Sequence, residues 1–272
     1  MLGITALPLA ALSLASPPPA PLNTDFHAAA FSAPMRIDNR WSPLVPGTQF
    51  TLVGRSNRGE GRVRHRVIFT VTDVTKVIDG VRTLVIWDRD INAGRLLEEE
   101  LAFQAQDDAG TVWNVGEYPE VRRRGRLVGA PDTWISGLDG AAAGVLMPAR
   151  PRAGTPSYRQ GWAPAIEFAD RARVLGAGRR ACVPAGCYDH VLVTDEWNPT
   201  EHGAHERKYY ARGVGNVRVG FAGGKERESL ALRRVRRLGP AALARARARV
   251  LALDRRAYRV NARVYGRTLP AE

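Results

Sequence analysis

The chain has 272 residues, 25% charged and 7% aromatic, enough to bury a core in one main domain without help from metal, which excludes a disordered chain. Its net charge of +13 invites a nucleic-acid reading, but 37 of its 40 basic residues are arginine, and twelve of those lie between Arg233 and Arg267 beside a single acid, Asp254. The rest of the chain is nearly neutral, so a groove that tracks phosphates is not expected, and nucleic acid is excluded as a partner.

Residues 1–20 (Met1 to Ala20) form an apolar, proline-broken stretch of signal-peptide length that lacks a basic residue ahead of its apolar run. It reads as an export signal or as a disordered Ala/Pro leader, and it is too short and too broken to span a membrane as a helix. Residues 22–46 are irregular. From Arg62 to Val77 apolar residues alternate, with Val63, Val67, Phe69 and Val71 on one face, which predicts a strand. Asp79-Gly80 predicts a tight hairpin turn into a second strand, Val81 to Ile91. Leu96 to Gln106 has helical propensity, but tight turns flank it and Leu97, Leu101, Phe103 and Ala105 share one parity, so a strand is expected there too. Thr111 to Tyr118 continues an antiparallel meander. Residues 119–156 break the rhythm with Arg122, Arg123, Arg124 and Arg126, and admit either a functional loop or a surface excursion packed by Trp134 and Met147. Strands resume at Tyr158 to Gln160, Ile166 to Leu175, from Ala181, and then at Tyr188 to Trp197, His205 to Ala211, Asn216 to Phe221 and Glu228 to Val235.

Cys182 and Cys187, the only thiols, flank Val-Pro-Ala-Gly, whose turn chemistry sets them across the mouth of a hairpin. A structural disulfide is expected; closing so short a loop contributes about 2 kcal/mol in the chain-entropy model. Such a bond belongs to an oxidising compartment. The tail, Gly239 to Tyr258, is the one clear helix: Pro240 sits in its first turn, and Leu243, Val250, Leu251 and Tyr258 line a stripe opposite Arg245, Arg249 and Arg256. It docks on its own domain with its arginines solvated, or makes peripheral contact with an anionic membrane. The expected organisation is a leader (1–20), an antiparallel β-barrel-like domain (41–237) and a basic C-terminal helix and tail (239–265).

The segments WSPLVPGT, DVTKVIDGVRT, VWNVGE, AGVLMPARPRAGTPSYRQ, CVPAGCYDHVLVTDEWNP and ERKYYARGVGNV together resemble a group of uncharacterised exported bacterial proteins. These share W-x-P-L-x-P-G-T, then V-P-x-G-x-x-x-x-V-L-V-T-x-E-W-x-P, then K-Y-Y-A-x-G-V-G. The resemblance covers Trp41 to Val235. It implies a mainly β fold, a large antiparallel sheet of calycin-like or lipoprotein-carrier-like type curled into an open barrel, and a secreted or cell-envelope location. Arg212 stands where the group usually has proline, which is expected to loosen that turn, and Cys187 where many members have threonine.

Chemistry is thinly marked. Glu201, His202, His205 and Glu206 form E-H-x-x-H-E, a weak zinc alternative because Asn198-Pro199 and Gly203 favour a solvated loop; otherwise no metal and no cofactor is called for. Glu98, Glu117, Glu167 and Asp170 are weak catalytic candidates, carboxylates of the kind glycosidases pair. Trp113, Tyr158, Arg159, Gln160 and Trp162 are the ligand-binding candidates, Arg159 to clamp an anion and Trp162 to stack on a ring. The leading expectation is an exported ligand-binding or envelope-associated β-barrel protein whose partner is a small apolar or amphipathic ligand or a cell-envelope component. The rival is a secreted hydrolase or lyase acting on a saccharide or ester through paired carboxylates. A deep apolar cavity distinguishes the first, and converging carboxylates of raised pKa the second.

Overall fold

The computed structural model describes residues 22–57, 61–224 and 227–272; the leader at 1–20 lies outside them. The first five strands are β1 (Thr48–Asn57), β2 (Val63–Ile78), β3 (Val81–Asn92), β4 (Arg95–Gln106) and β5 (Val112–Arg123). Short strands follow: β6 (Arg126–Gly129), β7 (Trp134–Ile135), β8 (Ala142–Met147), β9 (Tyr158–Arg159) and β10 (Gly161–Trp162). The remainder are β11 (Arg171–Val183), β12 (Gly186–Trp197), β13 (His205–Ala211), β14 (Gly215–Ala222) and β15 (Arg227–Arg237), before a single α-helix, α1 (Pro240–Val260). The period-two segments therefore form strands as expected, including Leu96 to Gln106, but the strand expected from Ile166 begins only at Arg171, because Pro164–Ile166 forms a 3-10 turn ended by Glu167 at positive φ. At Asp79-Gly80 both turn residues have positive φ, 49° and 76°, which matches the right-handed twist of the flanking strands.

All fifteen strands join one antiparallel sheet, ordered β10-β8-β5-β4-β3-β2-β1-β15-β14-β13-β12-β11-β9 with β6 and β7 attached to β5. The sheet curls into an open barrel. Its hydrogen-bond ladder is not closed, but its two ends meet through one short stretch of chain. Tyr158 and Arg159 pair with β11, while Gly161 and Trp162, just beyond, pair with β8. That stitch needs close backbone approach: a Cβ on Gly144 would lie 2.2 Å from the carbonyl carbon of Gln160.

Residues 119–156 are less irregular than their sequence suggests. β5 runs on through Pro119 to Arg123 and turns at Arg124-Gly125 into β6, so the basic run is a hairpin, while Trp134 and Met147 are buried packing residues. Cys182 and Cys187 face each other in the β11–β12 hairpin and are disulfide-bonded. The turn carrying Arg212 is tied down and not loosened. Gly213 donates its N–H to the Arg40 carbonyl (2.8 Å), and the Arg212 guanidinium lies 5.1 Å from the buried Trp41 ring. The opening and closing motifs of the resemblance thus touch.

The helix orientation corrects one expectation. α1 buries Ala246, Val250, Leu253, Asp254 and Ala257. Arg249 and Arg256 point toward the sheet, not away from it: Arg249 pairs with Glu99 and Arg256 with Glu120 (2.6 Å), while Arg247 holds Asp73 (2.5 Å). Acids on alternate positions of β4 and β5 supply partners that a helical projection of α1 alone does not reveal.

Candidate functional site

Strand alternation sends two sets of side chains to opposite faces of β3, β4 and β5. On one face, Trp87 and Arg249 both donate to Glu99, and Glu120 meets Arg256 under α1. On the other lie Asp88, Glu98, Glu100 and Glu117, brought together by the pairings Asp88↔Glu100, Asp90↔Glu98 and Ala102↔Glu117. Like charges this close are unfavourable in an isolated sheet. The far half of the sheet adds more from pairings of one parity, Thr194↔Lys208 and Glu196↔Glu206.

Because the sheet curls, these halves enclose a common cavity of about 630 Å³, the lumen, whose walls include Glu117, Asp170, Glu196, Glu206, Lys208 and Glu228. Lys208 Nζ lies 2.7 Å from Glu196 Oε2 and 3.6 Å from Glu206 Oε2. Burial works against the Lys208 charge, but the two carboxylates outweigh it and hold its pKa well above the ordinary value. Glu196 Oε1 also accepts from Thr194 Oγ1 (2.8 Å) and Tyr210 OH (3.3 Å).

Burial raises several of the carboxyls around this group. Burial pushes Asp170 up to about 7, reinforced by the charge of Glu117 and opposed by Lys208. Burial raises Glu117 against the hydrogen bonds of Asn114 Nδ2 (2.6 Å) and Trp134 Nε1 (3.0 Å), and raises Glu206 as well. Glu100, behind Glu117, is raised well above the carboxylate range by burial and then by Glu117, Glu98 and Asp88. Among the buried atoms without a hydrogen-bond partner in the described residues are Asn114 Oδ1, on the cavity wall, and the Tyr158 hydroxyl. Chemically, Asp170 titrates near neutral pH beside other acids, so the lumen can accept hydrogen bonds, attract positive charge or exchange a proton.

Of the carboxylate candidates, Glu117, Glu167 and Asp170 line the cavity; Glu98 shares their face but not the wall. Of the ligand-binding candidates, Gln160 lines it and Tyr158 is buried beside it, its hydroxyl influenced by Glu196, Tyr210 and Lys208. Arg159 is exposed and stacks on Trp162 (5.0 Å), so neither forms the expected clamp in the lumen. Trp113 lies away from it, donating to Asp107 Oδ2 (2.9 Å) and packing on Phe26 and Phe31. His205 and Glu206 line the cavity, but His202 is exposed outside it, and His205 is engaged by Asp195 (3.1 Å) and stacked on Trp197. E-H-x-x-H-E therefore does not converge, and among the described residues no three metal-ligating side chains gather. Sequence reasoning missed Glu196, Lys208 and Asn114. Their local signal is weak: Thr194 and Glu196 share a parity on β12, and Lys208 and Glu206 on β13.

Fold and site define an open antiparallel β-barrel with an acid-lined lumen. No protein-family model matches the chain, and no curated protein matches it. Two solved structures are similar in part: a candidate exported protein with a YmcC-like fold from Bacteroides fragilis (12% identity, TM-score 0.39) and a candidate lipoprotein from Parabacteroides distasonis (10% identity, TM-score 0.38). Each alignment covers 73% of this chain and 100% of the other. No property of either is carried to this chain.

Proposed function

We propose that the protein is exported and holds a polar small ligand in the lumen of its open barrel. The Cys182–Cys187 disulfide supports an oxidising compartment. The observation that carries the ligand reading is the convergence of Glu117, Asp170, Glu196 and Glu206 on one cavity, a polar wall that an apolar guest would desolvate without supplying hydrogen bonds. The raised pKa of Asp170 supports a second reading, a hydrolase or lyase in which Asp170 is the general acid and an ionised neighbour its complement. Native mass spectrometry of the protein from its own host tests the first: a carried polar molecule is expected, absent from the Glu117→Gln/Asp170→Asn double variant and retained by Trp113→Phe. Retention by the double variant overturns the lumen assignment.

We further propose that the envelope contact is made by the groove between the β5–β6 hairpin and the C-terminal end of α1. Arg123, Val128, Val260 and Arg263 line it, with Val128 58% exposed. The arginines facing the sheet are occupied by acids, whereas Arg123, Arg259 and Arg263 are exposed around apolar side chains, a pattern that suits an anionic membrane surface. No helix among the described residues is long and apolar enough to cross a membrane. Sedimentation with vesicles containing phosphatidylglycerol is expected to weaken at least about tenfold in Arg123→Glu/Arg263→Glu, at about 1 kcal/mol per arginine. Equal binding by the variant and the parent overturns the assignment.

A further inference from the structure

We infer that the ligand of the lumen is a small organic polycation, an extended molecule carrying two or more ammonium or guanidinium groups. This rests on the reading of the lumen as a ligand site and names its chemical class. The charge distribution is the first ground. A chain of net charge +13 surrounds this one cavity with eight carboxylates and only two permanently basic residues, Lys208 and Arg227. Lys208 is consumed by Glu196 and Glu206, and Arg227 lies over the Phe221 ring at 5.5 Å. Glu228 is engaged by His65 (3.1 Å), and the other acids outnumber the basic groups on the wall. Low-dielectric walls focus the resulting negative potential on whatever enters.

The second ground is Asn114. Its side chain is buried, with the residue only 4% exposed, and it lines the cavity. Nδ2 is committed to Glu117 Oε1 at 2.6 Å, which fixes the amide orientation and leaves Oδ1 as an acceptor without a donor among the described residues. A buried acceptor beside a carboxylate is completed by an N–H group, and an ammonium or guanidinium supplies several. Trp197, Phe168 and Phe221 also line the walls and supply apolar surface suited to methylene spacers.

The arrangement also separates an organic cation from the nearest alternatives. A divalent metal needs three or more ligands drawn to one point, and no such group exists among the described residues. The acids are spread along the walls, which suits charges separated by a spacer. A neutral oligosaccharide can donate hydrogen bonds to the carboxylates but leaves their mutual repulsion in place. A cation relieves it, and drives off the proton that Asp170 holds in part near neutral pH.

The test is calorimetric titration of the full chain near neutral pH, with spermine, a neutral oligosaccharide and calcium as separate probes, in two buffers of different ionisation enthalpy. Spermine is expected to bind with proton release, to weaken with salt, and to lose at least tenfold in affinity in the Glu117→Gln/Asp170→Asn variant, whose folding is checked by its thermal transition. Spermine binding that the variant leaves unchanged overturns the inference. If the oligosaccharide or calcium binds in a variant-sensitive way and spermine does not, the polycation is overturned while the lumen remains the ligand site. If no probe binds and the native protein carries no ligand lost in the variant, both readings fall.

Discussion

Asp254→Ala is expected to cost about 3–5 kcal/mol, the largest single effect in the molecule, measured by urea denaturation. Lys76 on β2 and Asp254 on α1 form an ion pair at 3.0 Å, with side-chain exposures of 0% and 3%. The ammonium also donates to the Tyr258 hydroxyl (3.1 Å) and the Leu269 carbonyl, and sits 4.3 Å from the Tyr265 ring. Asp254 in turn accepts from Tyr265 OH (2.7 Å) and the Ala271 N–H (3.2 Å). Burial lowers the Lys76 pKa and Asp254 opposes that shift, so deleting the carboxylate leaves a buried charge with no counter-ion. The cost then falls on the docking of α1 and the chain after it. Replacing both partners by apolar residues of similar volume, Lys76→Met/Asp254→Leu, is expected to recover most of the loss, because the desolvation penalty leaves with the pair. A single Asp254→Ala variant within about 1 kcal/mol of the parent would show the pair to be dispensable.

Stability is expected to fall by about 3 kcal/mol as pH rises from about 6.5 to beyond about 9, and His65→Gln to remove that slope. His65 is buried, 3% exposed, with Nε2 2.8 Å from Asp90 Oδ1 and Nδ1 3.1 Å from Glu228 Oε2. Burial alone would lower its pKa, but the two carboxylates outweigh burial and raise it to about 9. A group whose folded pKa is raised contributes fully below its unfolded value and loses that contribution through its folded value. The lumen acids act in the same direction at lower pH. Burial holds Asp88 up to about 6 and Asp170 to about 7, so the folded chain keeps protons that the unfolded chain has released above about pH 4. The unliganded protein should therefore be most stable in mild acid. Asp170→Asn should stabilise it near neutrality while weakening ligand binding, the usual opposition between stability and a strained site. Denaturation midpoints that stay flat from pH 6.5 to 9 in the parent would exclude a protonated His65.

Much of this architecture was legible in the residues. Alternation of Val63, Val67, Phe69 and Val71, the Asp79-Gly80 turn and the parity of Leu101, Phe103 and Ala105 specify strands and turns, because side-chain direction in a strand depends only on local backbone. The Cys182–Cys187 hairpin and the start of α1 at Pro240 are equally local. The site is not. Glu117 and Asp170 were visible as acids, but their meeting with Glu196 and Lys208 depends on a sheet that curls until β5 and β12 face one cavity. The closure comes from Tyr158 to Trp162, four of whose five residues sequence reading valued for their side chains and which pair through backbone. Likewise, helical periodicity assigned Arg249 and Arg256 to solvent, whereas Glu99 and Glu120 draw them to the sheet.

Sequence by itself determined most of the long strands and the helix, the antiparallel class and the disulfide, since each follows from neighbours a few residues apart, but not the short strands β6 to β8. Tertiary structure alone decided which face of each strand is enclosed, which charges are paired and which are left facing one another. Those outcomes depend on distances between residues far apart in the chain, and charge and desolvation act through distance in space.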